Sequence, residues 1–144
     1  MDKIIEAMKI VFATHFQYYV KSHGYHVNLV GPNFYQYHKL LQKVYVDAQE
    51  NIDKMAEEIR TLDAIVPFNM TRICELSEIE DATDTPNVMV MIKELLEDTE
   101  VLCEVIRTAR QLCEDGKCYG LMNYLEERLD IHYRYQWMLR STLE

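Results

Sequence analysis

His26-Val27-Asn28-Leu29-Val30-Gly31-Pro32-Asn33-Phe34, with the apolar-periodic run behind it to Glu57, is the stretch whose reading decides the fold. Pro32 after Gly31 reads as a helix start, with Pro32 at the first helical position, where its fixed φ suits the helix and its missing N–H is not needed. From there Phe34, Tyr37, Leu41, Tyr45, Ala48, Ile52, Met55, Ile59 and Leu62 recur every three or four residues. That spacing predicts one amphipathic helix to about Thr61. Four side chains of metal-ligand type lie along this stretch: His26 and His38 near its start, Asp53 and Glu57 near its end. His38, Asp53 and Glu57 share a sector about 100° wide, but the 15 residues from His38 to Asp53 rise about 22 Å along the axis. One ion, with ligands about 2.0–2.5 Å away, cannot touch both ends. For the sector to bind metal as a unit, a second copy of the helix must run antiparallel and bring its Asp53 and Glu57 to this His38. The spacing therefore points to a two-fold dimer with a shared site.

Outward from this helix the same periodicity continues. A first helix is expected from about Asp2 to Tyr25, burying Ile4, Met8, Val11, Phe12, Phe16, Tyr19 and Val20, with His15 and His23 on or beside that stripe as core-edge or solvated histidines. Asp63 to about Asn87 is a connection punctuated by Pro67 and Pro86, with a short helix over Met70 to Glu78 and a solvated acidic tail at Glu78, Glu80, Asp81 and Asp84. A third long helix spans about Val88 to Leu112 and ends at Gly116 in a C-cap role, and a fourth runs from about Tyr119 to Thr142 with His132 as a satisfied core histidine. Because the crossover between the second and third long helices is so long, those two can run parallel. The fold class is all-α: a four-helix bundle, one domain over residues 1–144, with a short helix in the crossover.

Composition bounds the function. An apolar share of 49% over 144 residues supports a real core and excludes a disordered chain. The net charge of −9 disfavours an unassisted electrostatic grip on nucleic acid or an anionic membrane and favours cations as small partners. No apolar run approaches the length of a membrane span, and Asp2, Lys3, Glu6 and Lys9 interrupt any signal-peptide pattern, so a cytoplasmic location is expected. Cys74, Cys103, Cys113 and Cys118 lack CxxC spacing and read as reduced thiols, mostly core filler.

No Glu in this chain has a His three residues later, so the Glu-x-x-His di-iron site inside one bundle is absent. Phosphate-cradling glycine loops, a nucleophile elbow and an HExxH helix are absent as well. What remains is the His26, His38, Asp53 and Glu57 set.

In its spacing and surroundings this set resembles the Dps family, the miniferritins named as DNA-binding proteins from starved cells. The resemblance is carried by Lys21-Ser22-His23-Gly24-Tyr25-His26, Gly31-Pro32-Asn33-Phe34, His38, Asp53, Ala56-Glu57 and Ile59, and more weakly by Trp137-Met138-Leu139-Arg140. It implies a ferritin-like bundle assembled into a dodecameric hollow shell. It also implies ferroxidase sites at the two-fold interface, with His26 and His38 from one subunit and Asp53 and Glu57 from its neighbour. Iron(II) would be oxidised there, preferably by hydrogen peroxide, with the ferric product stored inside and the cell protected from oxidative stress. Imidazole and carboxylate suit iron, and carboxylate charge favours the ferric state. A small acidic pore at the three-fold axis is implied near the start of the last helix, with Glu114, Asp115, Glu126 and Glu127 as candidates.

Three departures qualify the resemblance. Gln42 stands where the family has an acidic residue four positions after the second histidine, which weakens the second iron position. Val27 replaces the aromatic usual after the first histidine, although Tyr25, Tyr35, Tyr37 and Tyr45 remain near by in sequence to intercept one-electron oxidants. No Lys-rich DNA-binding tail is expected, since helix periodicity starts at Ile4. Two alternatives stay open: a shell with weak or lost ferroxidase activity that sequesters metal or acts structurally, and a DNA-condensing Dps using Lys39, Lys43 and Lys54, against which the net charge counts.

Overall fold

The structure is a computed structural model describing residues 1–144. Four long helices, α1 (Asp2–Asn28), α2 (Phe34–Thr61), α4 (Val88–Asp115) and α5 (Tyr119–Leu143), surround one core, and the short α3 (Met70–Leu76) lies in the crossover. No helix is long and apolar enough to cross a membrane.

Side-chain pairs fix the directions. Tyr18 meets Thr99 and Tyr25 meets Glu94, while Ile4 lies beside Gly116, so α1 and α4 are antiparallel. The tight turn after Leu29 makes α1 and α2 antiparallel, and the three-residue corner after Asp115 does the same for α4 and α5. Hence α2 and α4 run parallel, as the long crossover allows. That crossover is pinned to α1: Ile73 is buried, the Glu78 N–H donates to Thr14 Oγ1 (3.1 Å), and Gln17 Nε2 donates to Asp81 Oδ1 (3.2 Å). Asp81 is therefore tied down rather than simply solvated, and α3 stops at Leu76, two residues short of the expected end.

Most of the expected stripes are buried. Met8, Val11, Leu41, Val44, Ala48, Met55, Ile59, Leu95, Leu102, Ile106, Leu125 and Leu139 are inaccessible to solvent, as apolar residues at helical spacing should be. Three local expectations are corrected. Val20 is 43% exposed, because at 100° per residue it lies about 160° round the helix from Ile4, away from the face that Ile4, Met8, Val11 and Ser22 bury. Pro32 lies in the turn and not in the helix: Gly31 (φ 118°) and Asn33 (φ 62°) both take positive φ, and α2 begins only at Phe34. Asparagine tolerates that left-handed conformation better than most residues. Finally, α4 runs to Asp115, Gly116 caps it with ordinary negative φ, and the left-handed position falls on Lys117 (φ 59°). Asn69 and Asn87 cap α3 and α4 by accepting the Arg72 and Val90 N–H groups at 2.8 and 3.1 Å.

The core also holds polar groups that sequence periodicity did not resolve. Arg128, 1% exposed, donates two hydrogen bonds to Asp47 across the α2–α5 seam at 3.1 and 2.7 Å. The same guanidinium donates to His132 Nε2 at 3.1 Å. His132 is thus a core histidine satisfied at Nε2 only; its Nδ1 has no protein partner. His15 is fully buried and not at the core edge, and its Nε2–H donates to the Ala48 carbonyl at 2.7 Å. Thr99 Oγ1 donates to the Leu95 carbonyl, which leaves it to accept from the Tyr18 hydroxyl; both distances are 2.6 Å.

Candidate metal centre

The end of α1 and the start of α2 bring His26 and His38 face to face. Their rings stack with centroids 3.7 Å apart and an interplanar angle of 16°. Each is held by the other's main chain: His26 Nδ1 donates to the His38 carbonyl at 2.7 Å, and His38 Nδ1 donates to the His26 carbonyl at 2.9 Å. A carbonyl only accepts, so both Nδ1 atoms carry the proton in the neutral rings, and both Nε2 atoms are left with a free lone pair. An Nδ1 tied to a carbonyl with Nε2 free is how metal-binding histidines are oriented. Desolvation lowers the His26 pKa, with the neighbouring His38, His23 and Lys39 adding to it and only the hydrogen bond to His38 opposing it, so His26 is kept neutral and ready to bind. His26 is 5% exposed and His38 is half-buried.

Aromatic rings extend the stack on both sides. Phe34 covers His38 at 4.9 Å. Tyr45 touches His26 at 4.7 Å, and His23 lies flat on Tyr45 at 4.1 Å and 7°, with Tyr19 hydroxyl 3.1 Å from His23 Nδ1. His23 is therefore part of this wall, a role that its reading as a core-edge or solvated histidine did not include.

At the other end of α2, Asp53 and Glu57 lie one turn apart on an exposed surface. Hydrogen bonding and charge repulsion from Asp53 hold the Glu57 pKa above the ordinary carboxylate range. A cation bound beside the two carboxylates would relieve that repulsion. The four sequence candidates thus come together as two pairs, His26 with His38 and Asp53 with Glu57, and the pairs do not meet within one chain. No place in the chain gathers three or more His, Cys, Asp or Glu side chains into a metal-binding group.

Gln42 is half-buried and lines a groove of about 700 Å³ between α2 and α5, together with Lys39, Lys43, Asp47, Glu50 and Arg134. Of the pore candidates, Glu114 and Glu126 are both bound by Arg110, the latter at 2.8 Å, and Asp115 accepts from Gln111 at 3.1 Å. Lys39 and Lys54 lie over the Tyr35 and Tyr124 rings at 5.5 and 5.0 Å.

Comparison with known proteins gives the family. The model of the ferritin-like domain matches residues 5–144. A low temperature-induced protein of Nostoc is 32% identical over 127 residues, 87% of this chain and 71% of that protein. The DNA protection during starvation protein of Brevibacillus brevis is 27% identical over 129 residues, 88% of this chain and 85% of its own length. The crystal structure of the Dps protein from Vibrio cholerae O1, described as a member of a broad superfamily of ferritin-like diiron-carboxylate proteins, superimposes with a TM-score of 0.95 at 24% identity, covering 99% of this chain and 90% of that one. With a ferritin-like bundle along its whole length and its histidine pair at the α1–α2 corner, the chain belongs to the Dps family of ferritin-like proteins.

Proposed function

We propose that two copies of the chain lie antiparallel along α2 and complete two equivalent iron sites, each with His26 and His38 from one subunit and Asp53 and Glu57 from the other. The carrying observation is the reciprocal His26–His38 lock: two free Nε2 atoms oriented for a metal, on a chain that offers no third ligand beside them. Iron(II) is the substrate. The imidazoles bind it without adding charge, and the carboxylates favour the ferric product. Peroxide takes up two electrons and iron(II) gives one, so clean turnover oxidises two iron(II) per peroxide. The product is stored within a closed oligomer, with twelve subunits as the family count, and removal of iron(II) and peroxide together protects against oxidative damage.

Anaerobic titration with iron(II), followed by peroxide, tests this. Saturable iron binding and oxidation of two iron(II) per peroxide support the reading. Saturable binding without oxidation instead favours a metal-sequestering shell, for which Gln42 in place of an acid is the specific argument. The DNA-condensing alternative has less support: the net charge is −9, and two of its three lysines lie over tyrosine rings.

A further inference from the structure

The corner between α4 and α5 is built on a six-residue cap. Lys117 N–H donates to the Glu114 carbonyl at 3.1 Å, Cys118 N–H donates to the Cys113 carbonyl at 2.8 Å, and Lys117 supplies the left-handed residue. This is the Schellman arrangement, in which the side chains at the two ends of the longer hydrogen bond touch, normally as an apolar contact. Here both of those side chains are cysteines, and both are free thiols. With the main chains joined by a 2.8 Å bond, standard backbone dimensions keep the two Cα atoms within about 6.7 Å, inside the roughly 7 Å limit for a disulfide.

The two thiols are unequal. Cys113 is fully buried, and burial, reinforced by the adjacent Cys118, pushes its pKa up to about 11. Cys118 is half-buried, at the mouth of the corner, with its Sγ 3.8 Å from the Gly116 carbonyl. A reagent in solution therefore meets Cys118 first, while Cys113 waits behind it.

We propose that Cys113 and Cys118 form a peroxide-responsive dithiol that closes into a disulfide across the cap of α4. Cys118, as thiolate, attacks one peroxide oxygen; the O–O bond breaks, the sulfur becomes a sulfenic acid, and the departing hydroxide takes up the thiol's proton as water. Cys113 sulfur then attacks the Cys118 sulfur, the S–O bond breaks, and a second water leaves with the Cys113 proton. In sum, two thiols are oxidised, one peroxide is reduced, and two waters form. The bond fixes the end of α4 to the start of α5, at the corner against which Ile4 of α1 packs. This dithiol is independent of the iron reading.

The test uses the full chain carrying Cys74→Ser, which removes the exposed thiol that would otherwise join separate chains. The folded protein is treated with one equivalent of hydrogen peroxide, then unfolded, alkylated and digested with trypsin. Lys117 lies between the two cysteines, so trypsin separates them into peptides 111–117 and 118–128 unless a disulfide joins them. The expected result is that linked pair, a loss of about 2 Da per intact chain for the two hydrogens removed, and reversal of both by dithiothreitol. In Cys113→Ser, Cys118 should stop at a sulfenic acid that dimedone captures. Full alkylation of Cys113 and Cys118 after peroxide, a bond only between chains, or oxidation of Cys118 beyond sulfenic acid with Cys113 untouched would each overturn the proposal.

Discussion

His26 and His38 orient one another: each ring donates through Nδ1 to the other's carbonyl, at 2.7 and 2.9 Å. Losing either therefore does more than delete one ligand, because the partner ring also loses its stacking face. His38→Ala should weaken iron(II) binding at least tenfold, as disturbing the groups that orient a metal-binding histidine does. Anaerobic calorimetry measures it, and circular dichroism checks that the helices are intact. Unchanged affinity in a folded variant would remove His38 from the site.

The Arg128–Asp47 pair is the second structural commitment. Arg128 is almost wholly enclosed, and Asp47 accepts two of its three hydrogen bonds. In Asp47→Ala the guanidinium is left buried beside His132 without a counter-charge. Removing one partner of such a pair costs about 3 kcal/mol or more, so urea unfolding should shift to clearly lower concentration. Replacing both residues together should cost less than the sum of the single changes.

Acid should loosen the bundle through its buried histidines. Burial, with the nearby Arg128, lowers the His15 pKa to about 4, and burial, Arg128 and His15 hold that of His132 well below its ordinary value. An unfolded histidine titrates near 6.5. Between these values the unfolded chain binds more protons than the folded one, so stability is level above about pH 6.5 and falls as pH drops towards 4. For His15 alone the loss is roughly 3 kcal/mol. Thermal unfolding followed from pH 7 to pH 4 should show this decline, and His15→Gln should flatten it.

Gln42 offers a gain of function. It stands one turn beyond His38, and a carboxylate there adds negative charge where the ferric state develops. Gln42→Glu should speed peroxide-driven iron oxidation, read by stopped-flow absorbance. A folded variant that binds and oxidises iron at the original rate would show that this position does not reach the metal.

Much of this was legible in the sequence because helical periodicity encodes burial directly. Leu41, Ala48, Met55 and Ile59 read as one stripe and are one stripe, and the length of the crossover allowed the parallel α2 and α4. The candidate residues His26, His38, Asp53 and Glu57 stand out by chemistry and spacing, and of these the structure brings His26 and His38 together. What was not legible depends on the meeting of distant segments. The Nδ1 lock needs the end of α1 folded back on the start of α2, and Arg128 finds Asp47 across 81 residues. Pro32 misled because the two positive-φ residues around it, Gly31 and Asn33, extend the turn to the residue before Phe34. Cys113 and Cys118 lack a familiar spacing and are brought together only by the cap geometry.

The central claim is that each iron site draws on two chains, and mixing of damaged subunits tests it most directly. His38→Ala and Asp53→Ala chains are prepared separately, and each should lose most of its iron oxidation. They are then unfolded together, refolded and checked for assembly. In a mixed dimer one site carries both substitutions and the other carries neither. If dimers form at random, half are mixed, and about a quarter of all sites regain every ligand. The account predicts recovery to roughly a quarter of the unsubstituted rate. Fully assembled mixtures with no recovery, from two parents that each lost activity, would contradict it.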